Sequence, residues 1–495
     1  MPGSKTEIRN TVSLPDPGVS VMHIVKRILL GVVVVLLLFT TLFLVFVGPW
    51  PVYKDSRYRE SAYYKDALAA VDADAALSNF TDTPEALRAG WGVRIITPSI
   101  GLPIAGYGAR KDGMRSQGVR DDLKVKAVSF TDGKDTVVLV GVDMLIIPPN
   151  IAEMTVDKVA SRIPLASRNL YFTASHTHCG PGGFGPGLAA KFTGGTYNPS
   201  VPEFLSSSFA DAIVEAWQNM KPAKLAHGTV DARAYIRNRA REHGDVDPNL
   251  NYILVEQESG RKCYITRFSA HPTNFGSSMM QFSAEYPGAL MRSLEQQTNA
   301  TAVYLGGGLG SMSGKGIEAD GPDARVELMG KTLADLIVAA SASPKFTDRV
   351  DIASLAVPVG VPPFQARPLS PKWRLSPLAA KLIGLPNEGF VQGARIGDLL
   401  FVGLPFDTSG ELTRQWREEK AAAGWDLWVT SFSRAYLGYL SPEKYYFETN
   451  KRGQLDYEIG FMNWLGPNST TYFKEILDRV VMQLGKSAPT LAAAP

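Results

Sequence analysis

The sequence predicts one large domain of mixed α/β class, with mixed sheets and flanking helices, preceded by one N-terminal transmembrane helix. Three observations predict this. Ile28 to Val47 runs without a charge, and roughly 20 apolar residues are what a helix needs to cross a bilayer. Beyond residue 90, short β-branched and aromatic runs alternate with stretches of helical spacing, the pattern of a mixed α/β fold. No repeat and no low-complexity linker divides that part. We therefore expect a tail over 1–27, a membrane anchor over 28–50, a juxtamembrane helical segment over 51–90 and one domain over 91–495.

Taken in order, Met1 to Val25 is polar and contains Pro and Gly, and we expect it to be disordered. Lys26-Arg27 precedes the apolar run and Gly48-Pro49 closes it, with Trp50 and Tyr53 suited to an interface. The run is longer than a signal-peptide core and no small-x-small site follows, so an uncleaved signal anchor is expected. Basic residues flank both ends, but the Lys26-Arg27 pair favours a cytoplasmic N-terminus with the domain on the extracytoplasmic side. Asp55 to Phe80 reads as a helix, and we prefer a packing helix to one lying on the membrane. Val93–Thr97 alternates as a strand, and Val125–Phe130 and Thr136–Val142 flank the turn Thr131-Asp132-Gly133 as a hairpin. Asn150–Ile163 and Glu203–Met220 read as helices, the second stopped by Pro222. Asn169–Ala174, Lys262–Phe268 and Thr301–Leu305 read as strands.

The net charge of +3 gives no electrostatic footprint for a nucleic-acid partner. The two cysteines, Cys179 and Cys263, form no disulfide framework and no Cys-x-x-Cys pair.

Candidate chemistry gathers at strand exits. Ser175-His176-Thr177-His178-Cys179-Gly180-Pro181-Gly182-Gly183 follows the strand ending at Ala174. In extended chain, residues two apart share a face, so His176 and His178 point the same way. Two readings are open: half of a metal site, or two histidines satisfied by hydrogen bonds at a strand edge. His271 ends the strand Lys262–Phe268, before Pro272. His23, His227 and His243 have no such context. The loop Gly306 to Gly316 follows another strand. Its amides are candidates for an anion or oxyanion site, and the other reading is a flexible surface loop. It is no nucleotide P-loop, because Lys315 is followed by Gly316 and not by Ser or Thr. No βαβ unit supports a dinucleotide fingerprint either.

These motifs, in order, resemble the neutral, non-lysosomal ceramidases. The matches are Gly106-Tyr107-Gly108, Val142-Asp143, Ala174 to Gly183, Ile236 to Arg239, Ala270-His271-Pro272, the glycine loop, Pro405-Phe406-Asp407, Ala435 to Tyr439, and Asp456-Tyr457-Glu458 before Gly466-Pro467. The resemblance implies a zinc amidase that cuts the N-acyl bond of ceramide, releasing a fatty acid and a sphingoid base. It implies one Zn²⁺ per chain, held by His176, His271, Asp407 and Tyr439, with Glu411 a neighbouring alternative to Asp407. His178, Tyr457 and Ser313 would act in catalysis, and Arg239 and Gly310 would contact substrate. Outside the resemblance, Tyr439 and Tyr457 read as aromatic packing. The glycine loop departs from the family pattern: Ser313 is kept, but Ser311 stands for an aspartate, Gly314 for a proline, and both asparagines are gone. The family's immunoglobulin-like C-terminal domain is expected to be missing, with the membrane anchor holding the enzyme near lipid. The implied partners are a ceramide-like lipid and the membrane, with no nucleic acid or nucleotide. The altered loop keeps two other functions open: a zinc protein that binds lipid with little catalysis, and a zinc hydrolase of another amide or ester.

Overall fold

The computed structural model describes residues 17–48, 50, 52, 56–78, 83–108, 110 and 114–485. The tail before residue 17 and Tyr53 lie outside them. The apolar run forms α1 (Pro17–Phe46). It starts earlier than expected, so Lys26 and Arg27 lie within the helix and not ahead of it. Val21–Phe46 is long and apolar enough to cross a membrane, and none of that stretch is buried against the rest of the chain. Helix α2 (Ala62–Ala75) is capped by the Ser61 hydroxyl, which accepts from the Tyr64 amide.

Eight strands form the larger sheet: β1 (Arg88–Ile95), β2 (Lys124–Thr131), β3 (Thr136–Val142), β4 (Leu170–Ala174), β5 (Lys221–Asp231), β6 (Asn249–Gln257), β7 (Lys262–Phe268) and β8 (Thr301–Gly306). Their order is β8-β7-β6-β5-β1-β2-β3-β4. The pairs β3/β4 and β7/β8 are parallel and the others antiparallel. A second sheet runs β9 (Ile352–Gly360), β10 (Glu388–Ile396), β11 (Leu399–Gly403) and β12 (Asp426–Thr430), with only β11/β12 parallel.

Strand alternation explains how the layers stack. In β3, Val138 and Val140 face α3 (Pro149–Ala160) and α5 (Ser200–Gln218), with α4 (Leu188–Gly194) between those helices in the chain. Val137 and Leu139 face the second sheet. Leu399 and Phe401 of β11 meet them, with Trp428 fully buried among them. Leu400 and Val402 point the other way, onto α2 and onto α9 (Gly410–Ala421) and α10 (Ser469–Leu484). Tyr252 and Leu254 of β6 pack on α6 (Glu285–Thr298) and α7 (Gly321–Ala340). The result is helices, sheet, sheet, helices, with Ala67 and Val71 of α2 inside the outer core. A last helix, α8 (Pro377–Ile383), lies in the long connection between β9 and β10.

Candidate metal centre

The ends of β4, β8 and β12 meet. The Ser431 amide donates to the Gly306 carbonyl, and the Thr173 hydroxyl donates to the Ser431 carbonyl, 2.9 Å away. A side chain at Gly306 would stand 2.4 Å from the Ala174 carbonyl, so glycine is required for this approach. The loops leaving these ends carry the candidate residues.

His176 and His178 come together for a different reason from the one expected. The strand stops at Ala174, and His176 takes a left-handed conformation, φ 65°. Phe432, φ 64°, stacks on its ring at 4.2 Å. Two non-glycine residues held at positive φ are a local strain that the surrounding packing must maintain. The rings of His176 and His178 are 4.9 Å apart and nearly perpendicular, and the His271 ring lies 4.4 Å from that of His176. Nitrogens of all three histidines lie within 4.8 Å of one another. Gly106 (φ 115°) lies against His178, where a Cβ would meet its Cα at 2.7 Å, and this accounts for glycine in the Gly106-Tyr107-Gly108 motif.

The histidines are buried, and their hydrogen bonds orient them. His176 Nδ1 is 2.6 Å from the Leu145 carbonyl and His271 Nδ1 3.2 Å from the Leu309 carbonyl. A carbonyl only accepts, so each Nδ1 carries the proton and each Nε2 presents a lone pair. His178 Nε2 is 2.9 Å from His271 Nε2, and His178 Nδ1 has no hydrogen bond among the described residues. Burial lowers the pKa of His176 to about 3 and those of His178 and His271 well below the usual value. Three neutral imidazoles result, the form that binds metal.

Asp407 completes the cluster. Its Oδ2 is 3.5 Å from His176 Nε2 and 3.7 Å from His271 Nδ1. Both carboxylate oxygens are fully buried and have no hydrogen bond among the described residues. Burial raises its pKa to about 7, against the pull of Arg239 and Tyr439. Asp407 and Tyr439 are opposed in a short parallel bridge, Asp407–Thr408 beside Tyr439–Leu440. Arg239 donates to the Tyr439 hydroxyl (3.0 Å) and the Gly310 carbonyl (2.8 Å), and pairs with Glu458 at 3.3 Å. Glu411 is engaged elsewhere: it accepts from Asn238 (2.7 Å) and Tyr445 (2.9 Å).

Other expected residues fall differently. Gly310 is not open to substrate, because its amide donates to the Thr408 carbonyl and its carbonyl takes Arg239. The first part of the glycine loop is built into the fold, while Lys315 and Gly316 are exposed. Residues 306–312 are buried, and the amides of Gly307, Gly308, Leu309 and Met312 are bonded within the protein. Ser313 pairs with Arg237 in a short antiparallel bridge, and its hydroxyl accepts from the Arg237 guanidinium at 3.0 Å. It does not line the cavity that His176 and His178 face. Ser311 instead turns inward, 2.8 Å from the Ser409 hydroxyl. Tyr457 is 61% exposed and stacks on Phe461.

The sequence held no signal for Glu285. It is buried at φ 51° and accepts from the amides of His178 (3.2 Å) and Asn274 (2.8 Å), tying the two histidine loops together. Burial lifts its pKa to about 8. Arg110 likewise donates to the His178 carbonyl at 2.6 Å.

His176, His178 and Tyr439 line a cavity of about 650 Å³, together with apolar residues that include Phe192, Phe364, Leu375, Phe461 and Trp464. Tyr457 also contributes to the wall.

Residues 88–336 match the family model of the neutral/alkaline non-lysosomal ceramidases, N-terminal region. The chain belongs to that family. It is 24% identical over 241 residues to the neutral ceramidase of Mycobacterium tuberculosis, a match covering 45% of this chain and 37% of that protein. The chain thus spans little more than a third of the length of that relative. In fold it is similar to the neutral ceramidase of Pseudomonas aeruginosa, with a TM-score of 0.65, 18% identity and coverage of 84% of this chain and 77% of that one. A ceramidase complexed with C2 gives the same values.

Proposed function

We propose that this ceramidase-family chain is a membrane-anchored zinc amidase that hydrolyses the N-acyl bond of ceramide or a related N-acylated lipid. The observation that carries this reading is a buried cluster of neutral histidines, two of which line an apolar cavity, beside a buried carboxylate with no hydrogen bond among the described residues.

The residues fit a divalent cation. Asp407 has two buried oxygens with no hydrogen bond among the described residues, and such groups are rare unless an ion or water completes them. His176, His271, Asp407 and Tyr439 are the ligand set we propose. Nitrogen and oxygen donors with no thiolate suit zinc, which supplies Lewis acidity to polarise the acyl carbonyl and to make water nucleophilic. Arg239 holds the Tyr439 oxygen in place and balances Asp407. Neutral His178, which lines the cavity, is placed to take a proton from the attacking water and pass it to the departing amine. Water's oxygen joins the acyl carbon, the C–N bond breaks, and the nitrogen leaves protonated. The apolar walls take hydrocarbon.

Labelled ceramide should release fatty acid with full-chain protein, and His176→Ala should abolish both bound zinc and release. Zinc retained in full by His176→Ala would sink the ligand assignment. The altered glycine loop favours a second reading, hydrolysis of another lipid amide or ester, which a substrate panel on the same preparation separates. We also infer that the domain is extracytoplasmic, as Lys26 and Arg27 suggest. Protease added to intact cells should then digest the domain, and protection until permeabilisation would reverse the topology.

A further inference from the structure

The end of α1 is stitched to the cavity wall. Val47 and Gly48 pair antiparallel with Leu375 and Arg374. The Ser376 amide donates to the Phe46 carbonyl at 3.0 Å, and the rings of Phe43 and Trp373 are 5.6 Å apart. Leu375 itself lines the cavity. The apolar helix therefore ends on a strand that walls the proposed substrate site.

The chain on either side of that strand is apolar and uncovered. Leu378, Lys381 and Leu382 of α8 lie at helical spacing on one face, with Leu378 47% and Leu382 60% exposed. Leu369, in the same connection, is 63% exposed, and Lys372 lies near it. Ile383, at the end of α8, faces the cavity. Leucines beside lysines on a short helix suit an interface, with hydrocarbon below and headgroup phosphates above.

We propose that α8 and the connection leading to it rest on the bilayer that α1 enters, so that the cavity opens onto the membrane and its lipid arrives from the leaflet. The proposal rests on reading α1 as a membrane span. Backbone pairing between Val47–Gly48 and Arg374–Leu375 keeps α8 next to the point where α1 ends, and the occupant of its exposed face is then the lipid surface. The physical gain is large for a two-chain lipid. Exposing hydrocarbon to water becomes more costly with every CH₂, and a mouth in contact with the leaflet avoids that passage.

Depth measurement tests this without relying on catalysis. Cys179 and Cys263 are buried, so a cysteine introduced at the surface can be labelled selectively. Full-chain protein carrying Val33→Cys, Leu382→Cys or Lys331→Cys, each labelled with an environment-sensitive fluorophore, would be reconstituted into phosphatidylcholine vesicles containing spin-labelled lipid. The expected result is loss of most fluorescence at 33 with the deep quencher, and at 382 with the shallow quencher, and little loss at 331 on α7. Strong quenching at 33 with none at 382 would overturn the proposal and leave the span intact. No quenching at 33 would overturn the span and the proposal with it.

Discussion

Two fully buried aspartates lie near the glycine loop, and their surroundings are opposite in kind. Asp247 accepts from Arg267 (2.9 Å), Ser269 (2.8 Å), Thr413 (3.0 Å) and Arg417. Burial opposes its charge, but Arg267 and Arg417 outweigh burial and hold its pKa well below the usual carboxylate range. Asp407 has no hydrogen bond on either oxygen among the described residues, and burial lifts its pKa to about 7. The first carboxylate completes its charge balance with the protein's own donors. The second has no such donors among the described residues. The Asp247 network also holds the loop beneath the site, since Ser269 accepts from the Gly308 amide at 3.0 Å. A satisfied charge thus braces the backbone beside an unsatisfied one.

Breaking the braced side should give the largest effect. Asp247→Asn leaves two buried guanidiniums short of a counter-charge, and removal of one partner from such a network typically costs about 3–5 kcal/mol. Denaturant unfolding should show that loss with or without metal. A loss confined to the metal-bound protein would collapse the contrast between the two aspartates.

Chelation probes the other side. An ion present at about 1,000 times its dissociation constant stabilises the fold by roughly 4 kcal/mol, and chelation should lower the melting temperature accordingly. Asp407→Asn should lose most of that response, yet unfold no earlier than wild type once both are metal-free, because it removes a buried unpaired carboxyl. If Asp407→Asn were as unstable as Asp247→Asn without metal, Asp407 would be a structural residue.

A smaller, pH-dependent effect sharpens the distinction between histidines. His227 sits 3.0 Å from Asp398 and 3.5 Å from Asp426, joining β5 to the second sheet. Burial lowers its pKa, but the two aspartates outweigh burial and raise it to about 9. Its unfolded value is about 6.5, so the charged form stabilises the fold fully below that pH. The contribution fades as pH rises through 9. His227→Gln should therefore cost on the order of 1 kcal/mol at pH 6 and almost nothing at pH 10, read as the difference in unfolding free energy across that range. Equal destabilisation at both ends would refute the linkage.

The smallest effect is expected at Ser313. Its hydroxyl faces Arg237, so Ser313→Ala should leave zinc bound and turnover within about tenfold of wild type. Removing a donor that stabilises the transition state instead typically costs about 100- to 1,000-fold. A loss of that size would show that the serine reaches the reacting atoms.

The strands were legible because apolar periodicity reports burial directly: Lys262–Phe268 spans the expected residues, and the hairpin of β2 and β3 pairs Thr131 with Thr136. The three site histidines were legible because each follows such a strand. Arg239, Asp407 and Tyr439 came through kinship to a family, since no local pattern marks them. Asp247, Glu285 and Arg110 went unread, because their partners are side chains and amides remote in sequence. His227 read as ordinary for the same reason: Asp398 and Asp426 lie far along the chain from it.

By itself the sequence determined the mixed α/β class, the long apolar N-terminal helix and the strand exits that carry His176, His178 and His271. Local periodicity and chain-breaking residues act over a few positions, and a sequence displays them openly. Only the tertiary structure decided that the glycine loop spends its amides internally, that Ser313 turns to Arg237 while Asp407 stays unpartnered, and that α1 is stitched to the cavity wall. Those outcomes depend on which strand ends are packed together in three dimensions, because packing sets which donors lie within hydrogen-bonding reach of each group.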